Sequence, residues 1–279
     1  MAGREGIYLG MRPGDLEGKP FARYWNPDMA PLSGQVREAL LHGPEAAELG
    51  LPLDEANRLL EPADLPIENG WTRLRNGHLF VAVRTPMPGV TAAMIDWWFS
   101  WHGVEAQRYK LWHPRAHLHT RMERALADTP GLSDREKYVG NVSYVTEYVG
   151  DRLLELAIAF RDPADYLDTA RFGAARVGTA ICARVGFARR PLDTAHLIHL
   201  IRETGDGCEM RSRFWLGDIQ ARSLSPTHII NRHLLRRRVI TRAGIPSSAG
   251  RDLLVHCAKE MAHLATFLSA LYHDYHTAA

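Results

Sequence analysis

From Trp71 onward, apolar residues alternate with polar ones or run together over lengths that are typical of β-strands. Gly, Asp and Pro separate these segments, which are WTRLRNGHLFVAVRT, RYKLWHP, NVSYVTEYVG, LLELAIAF, GTAICARVGF, AHLIHLIRET and GCEMRSRFWLG. The first of them predicts a hairpin or one long strand, and TAAMIDWWFSWHG after it predicts a short aromatic helix. Because successive strands lack crossover helices between them, the pattern predicts an antiparallel sheet.

Two helices are predicted to close the chain, one near residues 226–237 and a long one from about residue 250 to residue 272. At about 100° per residue, the long helix carries one apolar arc. The arc contains Leu253, Cys257, Leu264, Phe267, Leu268 and Leu271. The expected fold class is therefore α+β, with the antiparallel sheet packed against this C-terminal helix.

The first seventy residues have a different pattern. They are rich in Pro and Gly around two short helical segments, SGQVREALLHG and PLDEANRLLE. PADLPIENG then has the composition of a linker. We expect a small helical N-terminal domain over residues 1–70 and a second domain over residues 71–279.

Composition excludes some classes of partner. The 279 residues are 46% hydrophobic and 24% charged, with a formal net charge of +2. That charge is too small to indicate nucleic acid or an anionic membrane as a partner. The one dense basic cluster, RHLLRRR at residues 232–238, lacks the interleaved aromatic residues that stack bases, and it predicts a solvated helix face.

The cellular compartment is inferred from the cysteines and from the hydrophobic segments. No stretch has the length of a signal-peptide core or of a membrane span. Cys182, Cys208 and Cys257 are odd in number and far apart, which indicates reduced, buried thiols in a cytoplasmic protein. The chain also lacks CxxC, GxGxxG, Walker and GxSxG motifs, so the commonest nucleotide enzymes and the α/β-hydrolases are excluded.

A histidine and a glutamate in the long C-terminal helix are candidate metal ligands. His256 lies at the edge of the apolar arc and Glu260 within it, and their i, i+4 spacing puts both side chains on one side of the helix. A buried carboxylate needs a partner, because burying it alone costs several kcal/mol. A metal ion is one such partner, and an ordinary His–Glu pair or a nearby arginine is the alternative.

A second carboxylate, Glu147, lies in NVSYVTEYVG. In a strand it shares a face with Ser143, Val145 and Val149, while the opposite face carries two tyrosines. If the valine face is the buried one, Glu147 points inward. If the tyrosine face is buried, Glu147 points to solvent.

Four further histidines are candidates. RYKLWHPRAHLHT contains His113, His117 and His119, and a strand that continued past Pro114 would put Tyr109, His113 and His117 on one face. Each of the three is also compatible with a structural role. His199 lies between apolar residues on one face of AHLIHLIRE. Two histidines and two glutamates from separate elements would form a site that suits Zn²⁺, with Fe²⁺ or Mn²⁺ as alternatives.

At these residues the sequence resembles the family of diacetylphloroglucinol hydrolases, which includes the phloretin hydrolases. The matching segments are MIDWWFSWH, RYKLWHPRAH, VTEYVG, GCEMRSRFWLG and HCAKE, over roughly residues 70–270. The resemblance implies a zinc-dependent enzyme that cleaves the C–C bond between an aromatic ring and an acyl group. It also implies a helix-grip fold for residues 71–279, similar to START and pollen-allergen domains, and a small helical domain that helps to form a homodimer.

The resemblance assigns roles to individual residues. It implies that the metal ligands are His117, Glu147, His256 and Glu260, and that His113 is structural. It implies substrate contact for Tyr109 and a catalytic role for His199, with Glu147 or Glu260 taking a proton from water. Two substrate positions depart from the family pattern, with Thr120 where an asparagine is expected and Phe214 near the position of a tyrosine.

The function expected from this resemblance is hydrolysis of an acylated phenol to a carboxylic acid and the deacylated phenol. The ring pattern and the acyl group stay open because of the two departures. Two other functions also stay open, a non-catalytic helix-grip protein that binds hydrophobic ligands and a zinc hydrolase of esters or 1,3-diketones. The aromatic cluster Trp97, Trp98, Phe99 and Trp101 is interpreted as core packing, with a role in lining a pocket as the alternative.

Overall fold

The computed structural model describes residues 14–222 and 244–276. In this part of the chain, eight strands form one sheet in the order β1-β2-β8-β7-β6-β5-β4-β3. Every neighbouring pair is antiparallel. The strands are β1 Gly70–Arg73, β2 Leu79–Pro88, β3 His117–Met122, β4 Val142–Val149, β5 Arg152–Arg161, β6 Val177–Phe187, β7 Leu192–Glu203 and β8 Gly207–Ala221.

Along the chain, helices occur before β1, between β2 and β4, between β5 and β6, and after β8. The α-helices are α1 Gly34–His42, α2 Ala92–Trp101, α3 Ala106–Trp112, α4 Asp134–Tyr138, α5 Ser248–Ala265 and α6 Leu268–Tyr275. The 3-10 helices are Pro20–Tyr24, Ala47–Leu49, Leu53–Leu60, His102–Val104, Pro163–Asp165 and Thr169–Arg171.

The sheet has a hydrophobic core on each of its faces. On one face α5 packs against β1, β2 and β4, and α2 packs against β6 and β7. The other face is covered by the segment around the 3-10 helix Leu53–Leu60, where Leu59 and Leu60 contact the same core as Phe80 and Trp215. The predicted antiparallel sheet around a C-terminal helix, the helix-grip arrangement, is confirmed.

The strand pattern in the sequence is reproduced with few changes. WTRLRNGHLFVAVRT forms the hairpin β1–β2, closed by a turn in which the Gly77 amide donates to the Leu74 carbonyl at 2.9 Å. Gly77 has φ 93°, a conformation in which glycine is strongly favoured. The aromatic helix predicted from TAAMIDWWFSWHG is α2.

Two predicted elements differ from the structure. The prediction that RYKLWHP is a strand is wrong, because these residues form most of helix α3 and lead into β3 only at His117. The single helix predicted for residues 250–272 is two helices, α5 and α6, with a break at Thr266 and Phe267. Thr266 Oγ1 hydrogen-bonds to the His263 carbonyl at 2.7 Å, an alternative to the helical hydrogen-bond pattern.

The N-terminal helical segments are present as α1 and the 3-10 helix Leu53–Leu60. The division into domains at residue 70 stays a prediction. The helix predicted near residues 226–237 and the basic cluster at residues 232–238 lie outside the described residues. Within those residues the three cysteines are free and buried, as predicted, and no helix combines the length and the apolar character needed to cross a bilayer.

Candidate metal centre and cavity

A cavity of about 310 Å³ lies between the sheet and helix α5. One part of its wall is polar and contains Tyr109, Glu147, His256 and Glu260. The rest is largely aliphatic and aromatic, with lining residues that include Phe99, Leu154, Leu156, Ile158, Phe160, Val185, Leu197, Phe214, Leu216, Ile245 and Leu253. A concave, mostly apolar site with a few converging polar groups is typical of small-molecule binding.

Three side chains at or directly beside this polar part of the cavity could hold a metal ion together. One ligand atom from each of His117, His256 and Glu260 lies within 4.8 Å of the others, and all three residues are buried. Glu260 Oε2 is 3.4 Å from His117 Nε2 and 3.6 Å from His256 Nε2. Ligands bonded to one zinc ion at about 2.0–2.2 Å are separated by about 3.3–3.6 Å in a tetrahedral site, so the spacing fits a shared ion.

The orientation of His117 also fits a metal ligand. Its Nδ1 donates to the Tyr109 carbonyl at 3.0 Å, which turns Nε2 toward His256 and Glu260. Nε2 is buried and has no hydrogen-bond partner among the described residues. In metal sites, one nitrogen of a histidine ligand binds the ion and the other donates a hydrogen bond, often to a backbone carbonyl. His117 has this arrangement, with Nδ1 bonded to a carbonyl and Nε2 left for an ion.

Burial keeps the candidate ligands in neutral forms when no cation is present. It lowers the pKa of His117 well below its usual value, with the neighbouring imidazoles of His113 and His256 adding to the effect. Burial also lowers the pKa of His256. The pKa of Glu260 is raised well above its usual value, by burial first and by Glu147 second. A bound cation would offset the unfavourable burial of the charged Glu260 carboxylate. The neutral imidazoles already have the free lone pair that a metal ion requires.

Glu147 lies next to this cluster. Its Oε2 is 3.8 Å from His117 Nε2, and its Oε1 is 3.8 Å from His256 Nε2. The Tyr109 hydroxyl donates to Glu147 Oε2. Burial and the Glu147 charge raise the pKa of Tyr109 well above its usual value, so this tyrosine is a hydrogen-bond donor at neutral pH.

A β-bulge brings the β3 residues to the cluster. His117 pairs with Glu147, but His119 pairs with Thr146, so the register shifts between these two histidines. Because one extra residue lies on β3, His117 and Thr120 are both buried although they are three positions apart, and His119 is exposed. On β4 the valine face is the buried one, which settles the alternative left open by the sequence and turns Glu147 inward.

His199 lines the cavity from β7. Its Nδ1 is 2.7 Å from Ser212 Oγ, a hydrogen bond that ties the ring to β8. When Nδ1–H donates to Ser212 Oγ, Nε2 of His199 is the acceptor that a molecule in the cavity can use. Burial lowers the pKa of His199 to about 3, so the ring is neutral at pH 7.

The two residues that depart from the family pattern have different positions. Phe214 lines the cavity, and its ring is 5.8 Å from that of His199 in an edge-to-face contact. Thr120 is buried beside the cavity, and its hydroxyl is 3.1 Å from the hydroxyl of Ser143, which does line it. A threonine at this position therefore reaches the cavity through Ser143.

His113 lies outside the cluster of three. Its ring stacks on His256 with centroids 5.0 Å apart, and its Nδ1 is buried without a hydrogen-bond partner in the described segments. Burial first, and then the neighbouring His256 and His263, lower the pKa of His113 to about 2.

Among the histidines that line the cavity, sequence reasoning missed His102. It follows α2 directly and lines the cavity together with Phe99 of the aromatic cluster. The only signal was its place at the end of MIDWWFSWH, in a cluster that was interpreted as core packing.

Comparison with known proteins identifies the family. A family model described as DAPG hydrolase PhiG domain matches residues 51–273, which is most of the chain. The chain belongs to this family. The matched segment contains the three converging side chains together with Tyr109 and Glu147.

Two curated relatives of the DAPG hydrolase family support this assignment. The chain is 35% identical over 271 residues to 2,4-diacetylphloroglucinol hydrolase of Pseudomonas protegens, covering 95% of this chain and 87% of the relative. It is 31% identical over 256 residues to phloretin hydrolase of Eubacterium ramulus, covering 90% and 89%. Among solved structures, Ara h 8.0201 aligns at 10% identity and a TM-score of 0.38 over 68% of this chain and 99% of that one.

Proposed function

We propose that this protein is a metal-dependent hydrolase that cleaves the C–C bond between an acyl group and a phenolic ring. In this reaction the oxygen of water bonds to the acyl carbon, and the bond from that carbon to the ring breaks. The electron pair of the broken bond stays with the ring, and a hydrogen replaces the acyl group on the ring carbon. The products are a carboxylic acid and the deacylated phenol.

The observation that carries the proposal is the convergence of His117, His256 and Glu260 at one side of a largely apolar cavity, which His256 and Glu260 line. A passive carrier of hydrophobic ligands gains nothing from buried carboxylates, because their desolvation is unfavourable without a partner. Relatives named as hydrolases of diacetylphloroglucinol and of phloretin indicate an acylated phenol as the occupant of the cavity.

We propose Zn²⁺ as the metal, held by His117, His256, Glu260 and, as fourth ligand, Glu147. Two imidazole nitrogens and carboxylate oxygens suit zinc better than they suit Mg²⁺ or Ca²⁺, which prefer oxygen ligands alone. A bound divalent ion supplies Lewis acidity, which activates water and polarises a carbonyl oxygen.

The aromatic ring of the substrate is proposed to contact Tyr109 and His199. Phe99, Phe160 and Phe214 supply aromatic faces and edges for its packing. Ser143, backed by Thr120, offers a hydroxyl for a ring oxygen. The aliphatic part of the wall is then left for the acyl group.

Proton transfer is proposed to use the neutral ring of His199. Its Nε2 takes the proton from a ring hydroxyl and returns it to the ring carbon that bears the acyl group. When the C–C bond breaks, its electron pair restores the aromatic ring as a phenolate, which takes up the proton removed from water. Glu147 and Glu260 are the carboxylates that can take a proton from the attacking water. Tyr109 holds Glu147 through its hydroxyl and so orients this carboxylate.

The predicted homodimer and the N-terminal domain over residues 1–70 are retained as part of the proposal. Both are implied by the family resemblance. The molar mass of the full chain measured by sedimentation equilibrium tests the dimer.

A panel of acylphenols tests the reaction. We expect the full-length protein to deacylate acylphloroglucinols, monitored by the ultraviolet change that accompanies loss of the aryl ketone and by the carboxylic acid released. Aryl esters and aliphatic 1,3-diketones serve as comparison substrates. Turnover of esters or diketones in preference to every acylphenol would overturn the proposal in favour of a different metal hydrolase.

A further inference from the structure

Of the three buried histidines that line the cavity, His102 is the one that the reaction described above does not use. It is the residue that directly follows α2 as its C-cap, and it is 4% exposed. Its Nδ1 donates to the Trp98 carbonyl at 2.7 Å, one turn earlier in the chain. This hydrogen bond fixes the tautomer, because a carbonyl accepts only from N–H.

Aromatic neighbours hold the His102 ring in one orientation. Trp98 stacks on it with centroids 5.0 Å apart and planes at 21°, and Tyr109 lies 5.9 Å away at 23°. Trp112 contacts the ring edge-on at 5.1 Å. These ring contacts and the hydrogen bond from Nδ1 together hold the His102 ring, so the direction of Nε2 is set by the fold.

The Nε2 atom of His102 has no hydrogen-bond partner within residues 14–222 and 244–276, although the residue is buried and lines the cavity. Burial lowers the pKa of His102 to about 4, so Nε2 is a lone-pair acceptor at neutral pH.

His102 and His199 face one aromatic ring from two elements. The Phe99 ring is 5.4 Å from the His102 ring and 6.2 Å from the His199 ring. As in His102, Nδ1 of His199 is hydrogen-bonded to the protein, here to the Ser212 hydroxyl. Two fixed acceptors of the same kind, beside one aromatic side chain, match a planar ligand that has two separate O–H donors.

We infer that His102 Nε2 accepts a hydrogen bond from a second hydroxyl of the substrate ring, so that His102 and His199 together select rings with at least two hydroxyl groups. This inference rests on the proposed function and specifies its substrate class. His102 is then a residue that sets specificity, while the metal ligands and His199 carry the reaction. A site built to accept two O–H groups binds poorly to a ring with only one, because one buried acceptor is left unpaired.

Direct binding of rings without an acyl group tests the inference in the intact protein. Isothermal titration calorimetry would compare 1,3,5-trihydroxybenzene, 1,3-dihydroxybenzene and phenol. In the wild-type protein we expect the dihydroxy ring to bind about fivefold to tenfold more tightly than phenol, the gain from one added hydrogen bond.

The main variant is His102→Asn, because an asparagine amide can keep the hydrogen bond to the Trp98 carbonyl while Nε2 is removed. We expect it to bind phenol like the wild type and to lose the preference for the dihydroxy ring, with a ratio near one. His102→Phe, which keeps the aromatic packing, should give the same ratio. His263→Asn is the matched control, since His263 is also a buried histidine but does not line the cavity.

Two results would overturn the inference. One is a wild-type protein that binds the dihydroxy ring no more tightly than phenol. The other is a His102→Asn variant that weakens binding of all three rings by the same factor, which indicates a structural role only. Because binding is measured without turnover, a failure to hydrolyse acylphenols would overturn the proposed reaction and leave this result standing.

Discussion

The ring of Tyr109 lies flat on the ring of His117, with centroids 3.8 Å apart and planes at 4°. Tyr109 also accepts the His117 Nδ1–H bond at its carbonyl and donates its hydroxyl to Glu147. One residue of the short helix α3 therefore orients a candidate ligand on β3 and the carboxylate opposite it on β4. The cluster depends on this packing of a helix against two strands.

The Tyr109 hydroxyl can be removed without its ring. For Tyr109→Phe we expect bound metal to be retained, because the ring stack and the backbone carbonyl remain. We expect kcat to fall about tenfold to a hundredfold, because Glu147 loses its orienting donor and the substrate loses a contact. Steady-state kinetics together with metal content measure the two effects.

The matched control is Tyr138→Phe. Tyr138 donates its hydroxyl to Asp96 at 2.5 Å, and neither residue lines the cavity. This variant should lose about 1–2 kcal/mol of stability and keep its kcat. Equal kcat losses in the two variants would contradict a specific role for Tyr109.

His199→Ala separates catalysis from metal binding. The variant should keep its metal, because His199 is hydrogen-bonded to Ser212 and not to the candidate ligands. Its kcat should fall on the order of 10² or more, as for loss of a general acid/base. His196→Ala is the control from the same strand, since His196 is buried against Asp218 and Tyr166 outside the cavity wall. A wild-type kcat in His199→Ala would assign proton transfer to another residue.

The cavity histidines predict a loss of stability in acid. Burial lowers the folded-state pKa of His102 from 6.5 to about 4 and that of His199 from 6.5 to about 3. Below pH 6.5 the unfolded chain therefore binds protons that the folded chain does not bind. The free energy of unfolding should fall between about pH 6.5 and pH 4, by about 1.4 kcal/mol per pH unit for each histidine.

Urea unfolding at a series of pH values measures this dependence. His199→Leu removes one of the titrating groups, so its free energy of unfolding should fall less steeply over the same range, by about one proton. If the slopes of the variant and the wild type are the same, His199 is not held neutral by burial.

Narrowing the aliphatic part of the cavity should select against large acyl groups. Leu156 lines the cavity, and we expect Leu156→Trp to raise KM about tenfold for long acyl chains with a smaller effect on acetyl substrates. Leu153→Trp is the control on the same strand, because Leu153 is 53% exposed and points away from the cavity. The same KM change for every acyl length would place the acyl group elsewhere.

The sheet was predictable because its strands are bounded by turn residues and alternate in polarity. Helix α3 could not be predicted, because four consecutive residues of RYKLWHP, residues 109–112, are all buried. A short segment that is buried all round has no helical periodicity that distinguishes it from a strand. The aromatic residues also favour strands, so tertiary packing overrides the local preference here.

The candidate site was predictable only in part. His256 and Glu260 share a helix face by their spacing, and Glu147 was placed on one of two strand faces, with packing deciding between them. The bulge between His117 and His119 has no signature in the sequence, so local reasoning could not choose between these histidines. That choice came from the family resemblance, and the structure places His117 beside the other two candidate ligands, His256 and Glu260.

The most direct measurement of the central claim is the metal content per chain of the purified full-length protein and of His256→Ala, by inductively coupled plasma mass spectrometry. We predict about one zinc per chain in the wild type and almost none in His256→Ala, with turnover lost in parallel. His273→Ala, which changes an exposed histidine of α6, should keep both metal and activity. A His256→Ala protein that turns over acylphenols at the wild-type rate without bound metal would contradict the account.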